Sequence, residues 1–600
     1  MPVIGICFML LFKSAGWQCR QSIIAIALTE RRCAAIGSSS VAVVHLFEPA
    51  SGSTVTTNGH KEFKDPEVDQ VQDEYGNFLF SDDGTPKIIK EDQDYYDELY
   101  NHDGTRKDDT WPWWLPDDAT YLDHAGCTLY PTSLMHRFTQ DMTSNLFGNP
   151  HSASPSSMLS SIRVEDVRDR VLRFFNADPE HFDLVFVANA TAGIKMVMDG
   201  FRDLPTGYWY GYHRDAHNSL VGVREHANSA RCFANDDEVE KWIAEEDEDT
   251  TSTSARLFAY PAQSNMNGRR SPLRWCSEIR RSKPCTYTLL DAAAFLTTGC
   301  LDLSNHEEAP DFICMSFYKI FGYPDLGGLI VRKASGDMLT RRKYFAGGTV
   351  EMVLTVGSTW HIKRDGVHET LEDGTLPFHN IVALGHALDV YTELYTSPRN
   401  VSAHASALAK SAYDRLSSLR YSNGAPVCEI HKDSLASYDD STTQGPTVAF
   451  NVRRPDGSWL GKSVVEHAAI QHGIHMRSGG VCNPGGTATV LQLSPQEMHH
   501  NYDAGQRCGD TNDVMGGKPT GILRISLGAM SSMEDVDRFV KFMKEWCVKQ
   551  DGAGEVPTVP VHLTPKTGFL KVKIMHVSGA EKSKGFRYML KNITSRSLVA

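Results

Sequence analysis

The chain has 600 residues, 41% of them hydrophobic and 22% charged, with 47 Gly, 27 Pro and a mean hydropathy of −0.33. That composition belongs to a globular protein with enough chain for a sizeable core, and excludes a disordered or fibrous one. Its 60 basic and 74 acidic side chains leave a formal charge of −14; nucleic acid and anionic membranes both call for clustered Lys and Arg, so small molecules or proteins are the expected partners.

The 13 cysteines are odd in number and scattered, with no C-x-x-C and no Cys/His metal spacing. They read as reduced thiols of a cytoplasmic protein without a metal site. The apolar run from Val3 to Phe12 is too short to span a bilayer. It lacks the basic start and small-residue cleavage pattern of a secretory signal, so it reads as an extended or buried segment.

Residues 1–112 show no sustained period and turn polar and acidic after Ser51, as in Glu91-Asp-Gln-Asp-Tyr-Tyr-Asp97; a partly disordered arm is expected there. Pro155 to Phe175 carries Val164, Val167, Val171, Phe174 and Phe175 at helical spacing after a Ser/Pro start, which predicts an amphipathic helix. Asp183 to Ala188 predicts a buried strand and Thr191 to Phe201 a helix, with a tight turn between them. Arg256–Tyr260, Thr286–Leu290, Phe312–Met315 and Gly328–Arg332 predict further buried strands. The acidic run Asn235 to Thr250 reads as a solvated helix end and loop. Such alternation implies a mainly parallel sheet covered by helices over 113–390. A long helix past Phe378 leads into a smaller α/β domain over 391–550, closed by a helix from Met533 to Trp546. Residues 551–600 form a tail.

Four chemical features fall on these elements. Lys319, in Met315-Ser-Phe-Tyr-Lys-Ile-Phe-Gly322, follows a buried strand; alone it would read as a surface lysine at a strand end. Asp291 ends another strand, Asn189-Ala-Thr-Ala-Gly193 sits at a strand-to-helix turn, and His217 lies in Ala216-His-Asn-Ser219. Together they match the needs of pyridoxal 5'-phosphate: an amine for its aldehyde, a carboxylate for its ring nitrogen, an imidazole to stack on the ring, and N–H groups at a helix start for its phosphate. Ala190, Thr191 and Ala192 can supply that last feature.

An ordered series of motifs then carries a resemblance. Tyr121-Leu-Asp-His-Ala-Gly126, Gly148-Asn-Pro-His-Ser152, Ala188-Asn-Ala-Thr-Ala192, Leu290-Asp-Ala-Ala293, Ser316 to Pro324, Gly347-Gly-Thr349, Leu371-Glu-Asp-Gly-Thr375, Arg477 to Gly485, Cys508-Gly-Asp510 and Lys518 to Gly528 resemble those of molybdenum cofactor sulfurases. These are class V enzymes of the pyridoxal-phosphate-dependent transferase fold type I, related to cysteine desulfurases. The resemblance covers about 115 to 547. It implies Lys319 as the cofactor-bearing lysine, Asp291 as the partner of the ring nitrogen and His217 as the stacking residue. It implies Thr191 and Ser316 as phosphate ligands, Asn265 as a contact to the ring oxygen or substrate carboxylate, and Arg524 as the carboxylate clamp. Thr349 would reach the phosphate of a neighbouring subunit, hence a homodimer.

Cys482, in Ser478-Gly-Gly-Val-Cys-Asn-Pro-Gly-Gly486, falls where the family carries its persulfide cysteine. The Gly and Pro around it predict an exposed, adaptable turn. Gly480 and Thr487 stand where the family usually has two further cysteines. The family's C-terminal molybdopterin-binding (MOSC) module is several times longer than 551–600, which can resemble only its start. The function so implied is sulfur transfer from L-cysteine through a persulfide, for molybdenum cofactor sulfuration, with an acceptor protein or the cofactor itself as partner. A class V lyase, decarboxylase or aminotransferase acting on another amino acid is the alternative, and a catalytically silent scaffold a third reading. His124 and His151 lie in matching motifs, either near substrate or in structural hydrogen bonds; Cys127, Cys314 and Cys508 read as packing residues.

Overall fold

A computed structural model describes residues 119–246 and 254–548, and the backbone of Leu79–Phe80 and Pro86–Lys87, which pair antiparallel. The remainder of the expected arm over 1–112, the acidic residues 247–253 and the tail over 551–600 lie outside the described residues.

Seven strands form the central sheet: β1 (Phe182–Val187), β2 (Tyr208–His213), β3 (Ser229–Phe233), β4 (Ala255–Pro261), β5 (Thr286–Asp291), β6 (Phe312–Ser316) and β7 (Gly327–Arg332). Their order is β1-β7-β6-β5-β4-β2-β3. Only β7 runs antiparallel to its neighbours, so the mainly parallel sheet expected from the alternation is present. Strands β2 and β3 escaped the sequence reading for opposite reasons. The aromatic run of β2 is interrupted by Gly211, and β3 is an edge strand whose first four residues are exposed, so it lacks an apolar stripe.

Because both faces of the sheet are covered, successive residues of one strand serve different cores. Leu184 and Phe186 of β1 join Val164, Val167 and Val171 of helix α2 (Pro155–Phe174) and Leu384 of α5 (Phe378–Tyr395). Val185 and Val187 join Ile194 and Val197 of α3 (Ala190–Arg202). Helix α1 (Thr132–Ser144) packs on α5, and the short α4 (Phe317–Phe321) follows β6. A Cβ on Gly385 would lie 2.9 Å from Val167 Cγ2, so glycine lets α5 close on α2. Asn235 caps a helix over Asp236–Ala244, where Val239 and Trp242 are buried, so the first part of the acidic run is a helix with one apolar face.

The second core surrounds an antiparallel sheet of β8 (Cys428–Ile430), β9 (Thr447–Arg453), β10 (Arg477–Gly479) and β11 (Ile522–Ser526). Helices α6 (Pro398–Ser418), α7 (Lys462–Gln471) and α9 (Met533–Phe542) pack on it, with α8 (Pro484–Val490) after β10. The closing helix widens into a π turn over Met543–Val548. Leu122, from ahead of α1, is part of this core, and Thr120–Tyr121 pairs in parallel with Ile474–His475. The segment holding Asp123 is thereby fixed to β11, with Asp123 bridged to Ser526. Among the described residues no helix is long and apolar enough to cross a membrane.

A buried ion cluster ties the Val367–Leu371 helix to β1. His368 Nδ1 lies 2.9 Å from both Asp183 carboxylate oxygens. Burial alone would raise the Asp183 carboxyl, but the hydrogen bond and charge of His368 hold it below its usual value. Burial likewise opposes the His368 imidazolium, yet Asp183 raises it above 6.5. The pair therefore contributes its full stability between the ordinary values of about 3.8 and 6.5, loses it as pH falls through the depressed Asp183 value, and loses it as pH rises through the raised His368 value. Denaturant midpoints should fall between about pH 6 and about pH 9 more steeply in the wild type than in His368→Gln; parallel slopes would contradict the pairing.

Candidate active site

The carboxyl ends of β1, β4, β5 and β6 open on one cavity, lined among others by Asn189, Ala190, Thr191, His217, Gln263, Asn265, Asp291, Ser316 and Lys319. In an open α/β sheet that is where ligands bind. Lys319 lies on α4, immediately beyond β6, and enters the cavity from the sheet end. Burial pulls its ammonium below the usual lysine value; Asp291 opposes the shift, and Arg524 and Arg477 add to it.

Asp291 is buried at the end of β5, and its Oδ1 accepts the Ala293 N–H at 3.0 Å. His217 precedes a single helical turn, and its Nδ1 accepts the Ser219 N–H at 3.1 Å, so the neutral ring carries its proton on Nε2. Burial lowers the His217 pKa, against the charge of Asp291. Neutral His217 is an uncharged ring beside Lys319, suited to lie on an aromatic ligand.

At the head of α3, Asn189 Oδ1 caps the Ala192 N–H at 3.1 Å and Ser316 Oγ accepts the Ala190 N–H at 3.0 Å. Two of the three amides expected to meet phosphate thus have partners within the chain. The hydroxyls that face the ligand space are Thr191 Oγ1 and Ser219 Oγ, 2.7 Å apart. Ser219 was missed as a ligand, although it stands in the quoted Ala216-His-Asn-Ser219. A Cβ on Gly327 would come within 2.5 Å of Asn189 Cα, so glycine in β7 lets this turn close against the sheet.

The other expected residues lie further out. Arg524, on β11, is 2% exposed; its Nη2 binds Asp123 Oδ1 at 2.6 Å, its Nη1 binds the Asn265 main-chain oxygen at 2.6 Å, and its Nε has no partner among the described residues. Asp123 also binds Arg477 at 2.6 Å, so two guanidinium groups share one internal carboxylate and the cluster keeps one net positive charge. Asp123 and Arg477 went unassigned in the sequence, though both lie in quoted motifs. Asn265 lines the cavity, but both ends of its side chain hold the Cys482 loop: Nδ2 donates to the Val481 oxygen at 2.7 Å and Oδ1 accepts from Asn483 at 3.1 Å.

Thr349 is buried outside the cavity lining, with its hydroxyl 2.9 Å from both the Ala346 N and O atoms. Cys482 is exposed, and its carbonyl accepts the Asn218 N–H at 2.9 Å, beside His217. His124 is buried, bonded to Thr128 Oγ1 at 2.8 Å, and lowered by burial to about 4; it is a structural residue. His151 is exposed and away from the cavity lining. Cys314 is buried in packing and Cys127 half-buried, but Cys508 is exposed, which corrects its reading as a packing residue.

The donor set fits pyridoxal phosphate. An amine held below its usual pKa, a buried carboxylate at a strand end, a neutral imidazole and paired hydroxyls at a helix start surround one space. Lys319 would hold the aldehyde, Asp291 the ring nitrogen, His217 the ring face, and Thr191 with Ser219 the phosphate.

Comparison with known proteins agrees. The family model described as aminotransferase class-V matches residues 120–539. The molybdenum cofactor sulfurase of Aspergillus niger is 56% identical over 457 residues, 75% of this chain and 55% of that protein. The molybdenum cofactor sulfurase of Aspergillus terreus is 57% identical over 437 residues, 72% of this chain and 53% of that protein. The chain spans about half the length of the curated relatives it matches. The apo structure of a cysteine desulfurase from Thermococcus onnurineus NA1 superposes with a TM-score of 0.56 at 18% identity, covering 72% of this chain and 95% of that one, which is a likeness of fold. A lysine, an aspartate and a helix start at the carboxyl ends of a mainly parallel sheet, matched by that family model from 120 to 539, make this chain a member of the class V aminotransferase family.

Proposed function

We propose that the chain takes sulfur from L-cysteine onto Cys482, using pyridoxal phosphate held at Lys319, and that this sulfur serves molybdenum cofactor sulfuration. The observation that carries the reading is that the loop holding Cys482 is hydrogen-bonded to Asn218, next to His217, and to Asn265, and that His217 and Asn265 line one cavity with Lys319 and Asp291. That the Aspergillus niger and Aspergillus terreus relatives, above 50% identity, are molybdenum cofactor sulfurases supports the destination of the sulfur.

When bound, the cofactor supplies an electron sink for the bonds at the substrate Cα. The chain's residues do the rest. Asp291 keeps a negative charge against the ring nitrogen. Arg524 and Arg477, with one net positive charge after Asp123, receive the substrate carboxylate. Lys319, its amine held below the usual lysine range, takes and returns the proton at Cα. The Cys482 thiolate attacks the substrate sulfur; the S–S bond forms as the Cβ–S bond breaks, and the electron pair of the broken bond stays with the carbon skeleton, which leaves as alanine after protonation. The sulfur acceptor is a second protein or a molybdopterin-binding module, and the reaction takes place in the cytoplasm.

The proposed assembly is a homodimer. A hairpin of Val350–Val353 and His361–Lys363 follows Gly347-Gly-Thr349 and exposes Met352, Val356, Trp360 and Ile362, with Val356 89% exposed. Such a patch suits a second copy better than water. Sedimentation should give twice the chain mass, and a monomer that binds cofactor tightly would refute it.

Incubation with L-cysteine followed by peptide mass analysis tests the function. A gain of one sulfur on the Cys482 peptide, with alanine released, is expected. Turnover of another amino acid with no sulfur on that peptide would replace this reading with a different class V reaction.

A further inference from the structure

Gly480 to Asn483 joins β10 to α8, and the glycines and proline of the Ser478 to Gly486 run around it predict a loose turn. The structure ties it down at four consecutive residues. The Gly480 oxygen accepts the Thr487 hydroxyl at 3.2 Å and the Asn483 N–H at 2.9 Å. The Val481 oxygen accepts Asn265 Nδ2 at 2.7 Å, and the Cys482 oxygen accepts the Asn218 N–H at 2.9 Å. Asn483 is fully buried and works at both ends: Oδ1 caps the Gly486 N–H at 2.9 Å, while Nδ2 donates to the Asp215 oxygen at 2.9 Å and to Asn265 Oδ1 at 3.1 Å. Gly480 and Thr487, standing where two thiols were expected, are joined by the first of these bonds.

This docked loop carries strain. Val481 has φ 44° and Cys482 φ 54°, left-handed values that cost residues with a Cβ, and a β-branched valine most. The amide bonds offset that cost, so whatever takes one of those amides weakens the docked form. Asn265 is the residue exposed to such competition. It lines the cavity, both side-chain ends are spent on the loop, and its main-chain oxygen is held by Arg524.

We propose that Asn265 and Asn483 form a latch that holds Cys482 at the cavity mouth, and that an α-amino acid entering beside Asn265 opens it by taking the Asn265 amide nitrogen from Val481. The inference rests on Cys482 as the sulfur acceptor and adds the control of its reach. Asn265 and Asn483 are positioning residues for that thiol: the latch keeps Cys482 docked until a substrate carboxylate is present, and then frees it to reach the substrate sulfur.

Hydrogen exchange over residues 478–487 of the full chain, loaded with cofactor, tests this. Asn483→Asp keeps the Oδ1 cap on α8 but removes the amide that donates to Asp215, Asn265 and Ser264 Oγ, setting a carboxylate against the Asp215 and Asn265 oxygens. Asn265→Ala breaks the latch from the other side without touching α8. Both variants should exchange roughly 10-fold faster in this segment, with the rest of the small domain unchanged. Saturating L-alanine, an amino acid without sulfur, should speed exchange in the wild type by a similar factor and add nothing in either variant. Wild-type exchange in both variants would overturn the latch, because a purely structural cap survives Asn483→Asp. Wild-type exchange unaffected by L-alanine, when absorbance shows the amino acid bound, would overturn the opening. Absence of persulfide in the wild type would refute the sulfur reading, while exchange in the two variants would still decide the latch.

Discussion

Lys319→Ala should purify without the visible absorption of a pyridoxal phosphate enzyme, and turnover of L-cysteine should fall by at least ~10²–10⁴-fold, the range expected for loss of a positioned proton-transfer group. The loss should exceed even this, because the same amine both holds the cofactor and moves the proton at Cα. The geometry gives the amine no substitute: among the residues lining the cavity Lys319 is the only lysine. Arg524 and Arg477 lower its pKa rather than share its role. Cys482→Ala provides the contrast. It should retain the absorption and the capacity to bind an amino acid while forming no persulfide, since the thiol enters after the cofactor site is assembled. A Lys319→Ala protein that keeps both colour and turnover would remove the basis of the reading.

The second large effect is on stability. Glu372 is buried beneath β1, where its oxygens meet Arg168 Nη1 and Nη2 at 2.8 and 3.0 Å and its Oε1 accepts the Phe186 N–H at 2.7 Å. Arg168, 4% exposed, also donates to the Leu184 oxygen and lies over the Phe186 ring. Burial raises the Glu372 carboxyl, and Arg168 pulls it back. Removing the carboxylate leaves the Phe186 amide without its acceptor and the buried guanidinium with the Leu184 oxygen and the exposed Glu165 as its remaining partners, so Glu372→Ala should cost about 3–5 kcal/mol in denaturant unfolding. Replacing both partners with apolar residues of similar volume should recover most of that. A loss under about 1 kcal/mol for the single change would place the pair among weak surface bridges.

The large domain was legible because burial on both faces writes its strands as apolar runs, and six parallel strands need helices between them; Leu184 and Val185 feeding opposite cores are that pattern in two residues. The antiparallel sense of β7 was not, since an apolar run does not encode direction. Of the site, Lys319, Asp291, His217, Thr191 and Ser316 lie at ends of buried elements, where sequence order and spatial convergence coincide, and they do line one space. The parts that were not legible depend on contacts between distant segments. Asp123 reaches Arg524 across 401 positions and Asn483 reaches Asn265 across 218. Nothing local in either sequence marks such pairs. The docked Cys482 loop shows the same limit: glycine and proline predict that a turn can move, but the hydrogen bonds that hold it come from elsewhere.

The central claim is that Lys319 carries pyridoxal phosphate in the cavity between β1, β5 and β6. Borohydride reduction of the purified protein, followed by digestion and peptide mass mapping, tests it directly. The account predicts a single pyridoxyl phosphate adduct on the peptide containing Lys319, absent from Lys319→Ala. An adduct on another lysine, or a wild-type protein that takes up no cofactor when it is supplied, would contradict it.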